Sequence, residues 1–296
     1  MGDVAVEVVV GPGPKHSEGP LWDAVTGRLW WVDIAGQAVH RTDPGSGENR
    51  AWPTPWQPGG VVLDARGRPV VAAPDGLVLL DTDDGGTTML VPVEQDKPEN
   101  RGNDAKTDTH GRCWVGTMAF DKRPANAGLY RVDGQGATLV VERLTISNGP
   151  ALDEPNGRMY LADTALGRVD VFDLDPATGA LSGRRPFVDL GDDGFWPDGM
   201  TLDDEGMLWV ACGRAGAVHR YRPDGILDGV VEVPTSNPTS VAFGGADGAD
   251  LYVTTSWVDL EPEDREQQPL AGAVLGCRPG VTGPPAPRFA GAGSTA

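Results

Sequence analysis

The chain has 296 residues and a formal net charge of −19, with 42 Gly, 26 Pro and only 3 Cys. That acidity excludes a phosphate-binding surface of the kind nucleic acid requires, and no run of ~18 apolar residues offers a membrane span. Abundant Gly and Pro without a collagen period imply many short strands joined by many turns.

Taken from the N-terminus, the first 10 residues lack the basic and apolar regions of an export signal. Val4 to Val10 alternates as a strand. A six-residue phrase then recurs: an entrance residue, a tight turn, and a short apolar run ending in Asp or Phe. It starts at Glu18, Gly59, Asn103, Asn148, Asp198 and Pro238, so the units are 40 to 50 residues long. After each phrase comes a β-branched and aromatic strand: Leu29 to Ile34, Pro69 to Ala73, Cys113 to Met118, Met159 to Asp163, Leu208 to Ala211 and Leu251 to Thr255. A third strand follows, expected to be a half-exposed edge-side strand: Ala38 to Arg41, Leu77 to Leu80, Leu129 to Val132, Val169 to Phe172, Val218 to Tyr221 and Ala273 to Gly276. Polar turns such as Asp43-Pro44-Gly45 lead to a fourth. No helical period persists for ten residues.

Four short antiparallel strands per unit of this length is the signature of a propeller blade. The expected fold is an all-β, six-bladed β-propeller occupying 1–296 as one domain, since packing blades in a ring buries both faces of each sheet. A large two-sheet sandwich explains the strands but not the six-fold phase. The strand Val4 to Val10 has no blade of its own and is expected to close the last one. Residues 258–270 read as an acidic surface loop, and 292–296 as a loose tail.

In such a ring the first strand of each blade lines the channel. The six entrance residues therefore form one circle, in which Glu18, Asn103, Asn148 and Asp198 bring oxygen donors and Gly59 and Pro238 bring none. Asn-Gly and Asp-Gly are also plain turn formers. Four oxygen-bearing groups at one level of a narrow channel nonetheless call for a cation among them. An all-oxygen set suits Ca²⁺ best, with Mg²⁺, Mn²⁺, Zn²⁺ or Fe²⁺ also accommodated.

Ser17-Glu18-Gly19-Pro20-Leu21-Trp22, Trp31-Val32-Asp33-Ile34, Arg101-Gly102-Asn103-Asp104, Lys106-Thr107-Asp108, Ser147-Asn148-Gly149 and Pro197-Asp198-Gly199-Met200 resemble the senescence marker protein/gluconolactonase (regucalcin-like) family. The likeness runs from about Val8 to Gly291. It implies a six-bladed propeller with one divalent metal ion held by Glu18, Asn148 and Asp198, hydrolysing gluconolactone or a related aldonolactone. It also implies that Asn103 and Arg101 bind substrate and that Asp121 meets sugar hydroxyls. The chain departs from the family at Ala105, where Gly is usual, and at Phe120 beside Asp121. Asp198 is then the candidate general base. Other readings are organophosphate or ester hydrolysis at the same metal, or a non-enzymatic calcium-binding propeller. A rival role for Arg101 is a surface ion pair with Glu99.

His16 reads as a solvated loop residue. Trp56, Phe195, Trp196 and Trp257 sit near strand entrances and either line the mouth or pack in the core. Cys113, Cys212 and Cys277 fit no metal or disulfide spacing and read as buried thiols of a reducing compartment. The expected setting is cytoplasmic, as a monomer or weak dimer acting on a small-molecule sugar lactone, with neither nucleic acid nor membrane as partner.

Overall fold

A computed structural model describes residues 4–291. Its strands form six four-stranded antiparallel sheets. β1 (Val6–Val10) is followed by blade 1, with β2 (Ser17–Asp23), β3 (Arg28–Asp33), β4 (Ala38–Thr42) and β5 (Asn49–Pro53). Blade 2 holds β6 (Val61–Leu63), β7 (Pro69–Ala73), β8 (Gly76–Leu80) and β9 (Thr87–Pro92). Blade 3 holds β10 (Asn100–Thr107), β11 (Cys113–Ala119), β12 (Ala127–Asp133) and β13 (Gly136–Leu144). Blade 4 holds β14 (Ser147–Asp153), β15 (Arg158–Asp163), β16 (Arg168–Asp175) and β17 (Ala180–Asp189). Blade 5 holds β18 (Trp196–Leu202), β19 (Leu208–Gly213), β20 (Ala217–Tyr221) and β21 (Leu227–Glu232). Blade 6 holds β22 (Pro238–Gly244), β23 (Asp250–Thr255) and β24 (Val274–Cys277), and β1 completes it.

The inner strands β2, β6, β10, β14, β18 and β22 each touch the next, and β22 returns to β2, so the ring closes around a channel. Closure follows the expected route: Val6 pairs with Cys277 and Val8 with Leu275. Pairing the first strand with the last gives blade 6 its fourth strand and ties the two ends of the ring together. Of the third strands, β12 and β16 keep part of the expected half exposure and the others do not. β8, β20 and β24 are almost wholly buried, because the next blade covers them, and it is the fourth strands such as β5 and β21 that are half exposed.

The repeated phrase has two structural causes. Its terminal Asp ties the turn to the second strand. Asp108 accepts from the backbone N–H of His110 and Arg112, from Arg112 Nε at 2.6 Å and from Trp114 Nε1 at 2.9 Å. Asp203 does the same for Glu205, Met207, Trp209 and Arg220. Its turn is a bulge. Glu18 faces Val32 while Leu21 faces Trp30, so one extra residue is inserted, and β10, β14, β18 and β22 each carry the same insertion. A bulge of this kind re-aims the side chain beside it, here the entrance residue.

Residues 258–270 contain a short helix, α1 (Pro262–Gln267), where the sequence reads as loop. After β24 the chain crosses the channel's other end. Thr282 and Gly283 hydrogen-bond blades 5 and 6, Phe289 pairs with Leu63 and Ala65 of blade 2, and Ala290 N–H donates to Gly111 beyond β10. The three cysteines are free and buried, and burial pushes the Cys212 and Cys277 thiols up to about 12. Among the described residues no helix is long and apolar enough to cross a membrane. The tail at 292–296 lies outside the described residues.

Candidate functional site

At the entrance end of the channel, Glu18, Arg101, Asn103, Asn148 and Asp198 line one cavity of ≈ 300 Å³. They come from β2, β10, β14 and β18 of four different blades. The local sequence explains the convergence. Gly19 and Gly149 take positive φ of 53° and 80° in their bulges, which L-residues with a Cβ adopt at a cost. Gly199 is required for a different reason. A Cβ there would lie 1.9 Å from Ser240 Oγ of blade 6, so a glycine lets the two inner strands meet beside Asp198.

The polar groups form a chain across the channel wall. Arg101 Nη1 donates to Gly102 O (2.9 Å) and to Asn103 Oδ1 (2.8 Å). Asn103 Nδ2 donates to Ser147 O (3.0 Å) and Asn148 Oδ1 (2.6 Å). Asn148 Nδ2 donates to Thr164 Oγ1 (2.7 Å), and that hydroxyl donates to Pro197 O (2.7 Å). The orientation of both amides is thereby set, with Asn148 Oδ1 accepting from Asn103 Nδ2.

The two carboxyls differ: Glu18 Oε2 accepts from the Gly19 N–H at 2.5 Å, and Asp198 is the less satisfied. Asp198 Oδ1 is buried and has no hydrogen-bond partner. Burial, then the charge of Asp104, raises the Asp198 carboxyl to about 8, although a shared hydrogen bond with Glu18, the Gly199 N–H and Arg101 oppose the shift. Glu18 is pushed well above its ordinary value by burial, then by Asp198 and Asp104. Two carboxyls so placed retain a proton between them unless a cation replaces it. Among the described residues no three His, Cys, Asp or Glu side chains form a ligating group, so a third side-chain oxygen in this cavity would come from an amide, that of Asn148 or Asn103. Glu18, Asn148 and Asp198, all oxygen donors with one orphaned buried carboxylate oxygen, suit a hard divalent cation.

Arg101 is buried, with 7% of its surface exposed. Burial lowers its guanidinium to about 10, against the pull of Glu18 and Asp198. It makes no pair with Glu99, which instead lies 3.7 Å from Arg123. Asp121 is absent from the cavity wall. Its carboxylate is exposed and bound by Arg123 at 2.8 Å, while its neighbour Lys122 turns in and approaches Asp259 at 3.8 Å. His16, expected in solvent, stands in the wall with Nδ1 3.1 Å from Ser256 Oγ, and burial lowers it to about 4. Of the four aromatic residues only Trp196 lines the cavity. Trp56 and Phe195 pack against the core, and Trp257 stacks under Arg265. Sequence reasoning missed Thr164, Lys122 and Asp259. The first carries no local signal, and the other two lie on loops that reach the mouth only in three dimensions.

The sequence profile described as SMP-30/Gluconolactonase/LRE-like region matches residues 16–257. The chain belongs to the SMP-30/gluconolactonase family. Regucalcin of Xenopus laevis is 35% identical over 283 residues, covering 93% of this chain and 94% of that protein. A Bacillus subtilis member of the family, provisionally named a sugar lactone lactonase, is 32% identical over 260 residues, covering 87% and 89%. The crystal structure of a calcium-binding protein, regucalcin, from Agrobacterium tumefaciens superposes with a TM-score of 0.92 at 29% identity, over 97% of this chain and 98% of that one.

Proposed function

We propose that the chain hydrolyses sugar lactones to their hydroxy acids at this cavity, with a divalent cation held by Glu18, Asn148 and Asp198. The observation that carries this reading is the orphaned Asp198 Oδ1, buried beside Glu18 and within one cavity with Arg101 and Asn103. A simple cation binder has no need of a buried arginine in the wall of its site. The relative named for sugar lactones supports the substrate class, and the calcium-binding regucalcin structure supports Ca²⁺ as the ion.

When bound, the cation supplies Lewis acidity, polarising the lactone carbonyl and acidifying water at the site. Asp198 then serves as general base: it removes a proton from the attacking water as the oxygen adds to the carbonyl carbon. The acyl carbon–ring oxygen bond breaks, and the ring oxygen takes up a proton to leave the open hydroxy acid. Arg101 orients the lactone. Among the described residues only its Nη1 donates to protein acceptors, so Nε and Nη2 remain for substrate oxygens. Asn103 holds both Arg101 and Asn148 in register and borders the lumen as a second contact. Asp121, tied to Arg123, has no part in this scheme.

Replacing Asp198 by Asn keeps the shape and removes the base. Turnover of a sugar lactone by Asp198→Asn is expected to fall by at least ~100-fold while the circular dichroism spectrum is unchanged. Near-normal turnover would refute the assignment of the base.

A further inference from the structure

The amides and hydroxyls around the cavity are already engaged with protein. Asn103 spends its amide N–H groups on Ser147 O and Asn148 Oδ1, and Asn148 donates to Thr164 Oγ1. Thr164 Oγ1 donates to Pro197 O. His16 Nδ1 meets Ser256. Lys122 at the mouth is drawn toward Asp259, 3.8 Å away. At 3.8 Å that pair is no hydrogen bond, so Arg101 deep in the cavity and the Lys122 ammonium at its mouth are the donors left for a ligand. The remaining wall is apolar: Ile34, Met118, Ile146 and Trp196. Asp121, whose sequence position suggested a hydroxyl contact, is turned outward to Arg123.

We infer that this wall selects lactones bearing few hydroxyl groups, deoxy or alkyl-substituted rings, over fully hydroxylated aldonolactones. The inference rests on the lactone-opening reading and narrows its substrate class. A hydroxyl pressed against Ile34, Met118, Ile146 or Trp196 gives up its water without gaining a partner. A methyl or methylene in the same place gains contact. One group of this size in a hydrophobic pocket is worth roughly tenfold in kcat/KM.

The test uses the full chain loaded in turn with Ca²⁺, Mg²⁺, Mn²⁺, Zn²⁺ or Fe²⁺ and follows acid release from δ-lactones of one ring size: glucono-δ-lactone, its 6-deoxy analogue, δ-hexalactone and δ-valerolactone. Each kcat/KM is divided by that lactone's spontaneous hydrolysis rate, which removes differences in intrinsic reactivity. The normalised value is expected to rise by roughly tenfold or more from gluconolactone to the deoxy and alkyl lactones. A value that stays flat or falls as hydroxyls are removed overturns the inference while leaving lactone opening intact. Failure to open any of the four above the spontaneous rate overturns the lactonase reading, and the inference with it. Met118→Gln adds an amide to the wall at little change in volume, and Ile146→Thr adds a hydroxyl at the net loss of one heavy atom. Both are expected to shift the preference several-fold toward gluconolactone, and an unmoved preference in folded variants would show that the wall is not the selector.

Discussion

Asp198 has an oxygen with nothing to bond, in a channel that also holds Glu18 and Asp104. Its folded value near 8 lies above the ordinary 3.8, so the folded protein binds more protons than the unfolded chain between those limits. Stability from this source is present at low pH and is lost as pH rises toward 8. His16 and His40 act in the opposite sense. Burial holds both near 4 against an ordinary 6.5, so their contribution rises with pH and is complete by about 6.5. Cation-free protein is therefore expected to lose thermal stability between pH 6.5 and 8, and Asp198→Asn is expected to flatten that decline. Melting temperatures in chelator across this window check both points, and a wild-type curve that rises to pH 8 would contradict the electrostatic account. Asp198 was legible in the sequence because its phase matched Glu18, Asn103 and Asn148. Asp121 was misleading because the turn carrying it pairs the acid with Arg123 and sends Lys122 inward, which depends on loop geometry rather than on any repeat.

The inner-strand phrase works as an element with two ends. Its terminal Asp is a buried anchor. Asp108→Ala removes the carboxylate from Arg112, Trp114 and two backbone N–H groups. The expected loss is about 3 kcal/mol, the low end for breaking a buried ion pair, since Arg112 keeps the carbonyls of Pro176 and Ala177. Urea unfolding measures it, and turnover per folded molecule should not change. At the other end, Gly199→Ala forces a methyl onto Ser240, an overpacking cost of ~1–3 kcal/mol. Ser240→Gly in the same chain is expected to recover part of it, because Ser240 Oγ and Cβ are the nearest atoms, at 1.9 and 2.4 Å. No recovery would place the constraint elsewhere. These anchors explain why the repeat could be read at all: five of the six phrases end in an aspartate acceptor, and four have glycine as their second residue. The burial of third strands such as β8 and β20 was not legible, since their local alternation does not say that a neighbouring blade will cover them.

At the scale of the molecule, six sheets joined through β1 and β24 hold four separate strands at fixed spacing around one cavity. A ring of this kind makes a site from residues 180 positions apart without a flexible hinge. The fold and the circle of entrance residues followed from the period alone, and the family likeness divided that circle into ligands and substrate contacts. The strap at 281–290 and the mouth contact between Lys122 and Asp259 escaped notice, because neither segment repeats or alternates and both are placed only by tertiary packing. The proposed chemistry depends on the cation. Protein stripped of metal and reloaded with Ca²⁺, Mg²⁺, Mn²⁺, Zn²⁺ or Fe²⁺ in turn is to be assayed by acid release on a panel of sugar lactones. The stripped protein should open them no faster than water does, and at least one ion should restore turnover. Full turnover by the stripped protein, or none with any ion, would contradict it.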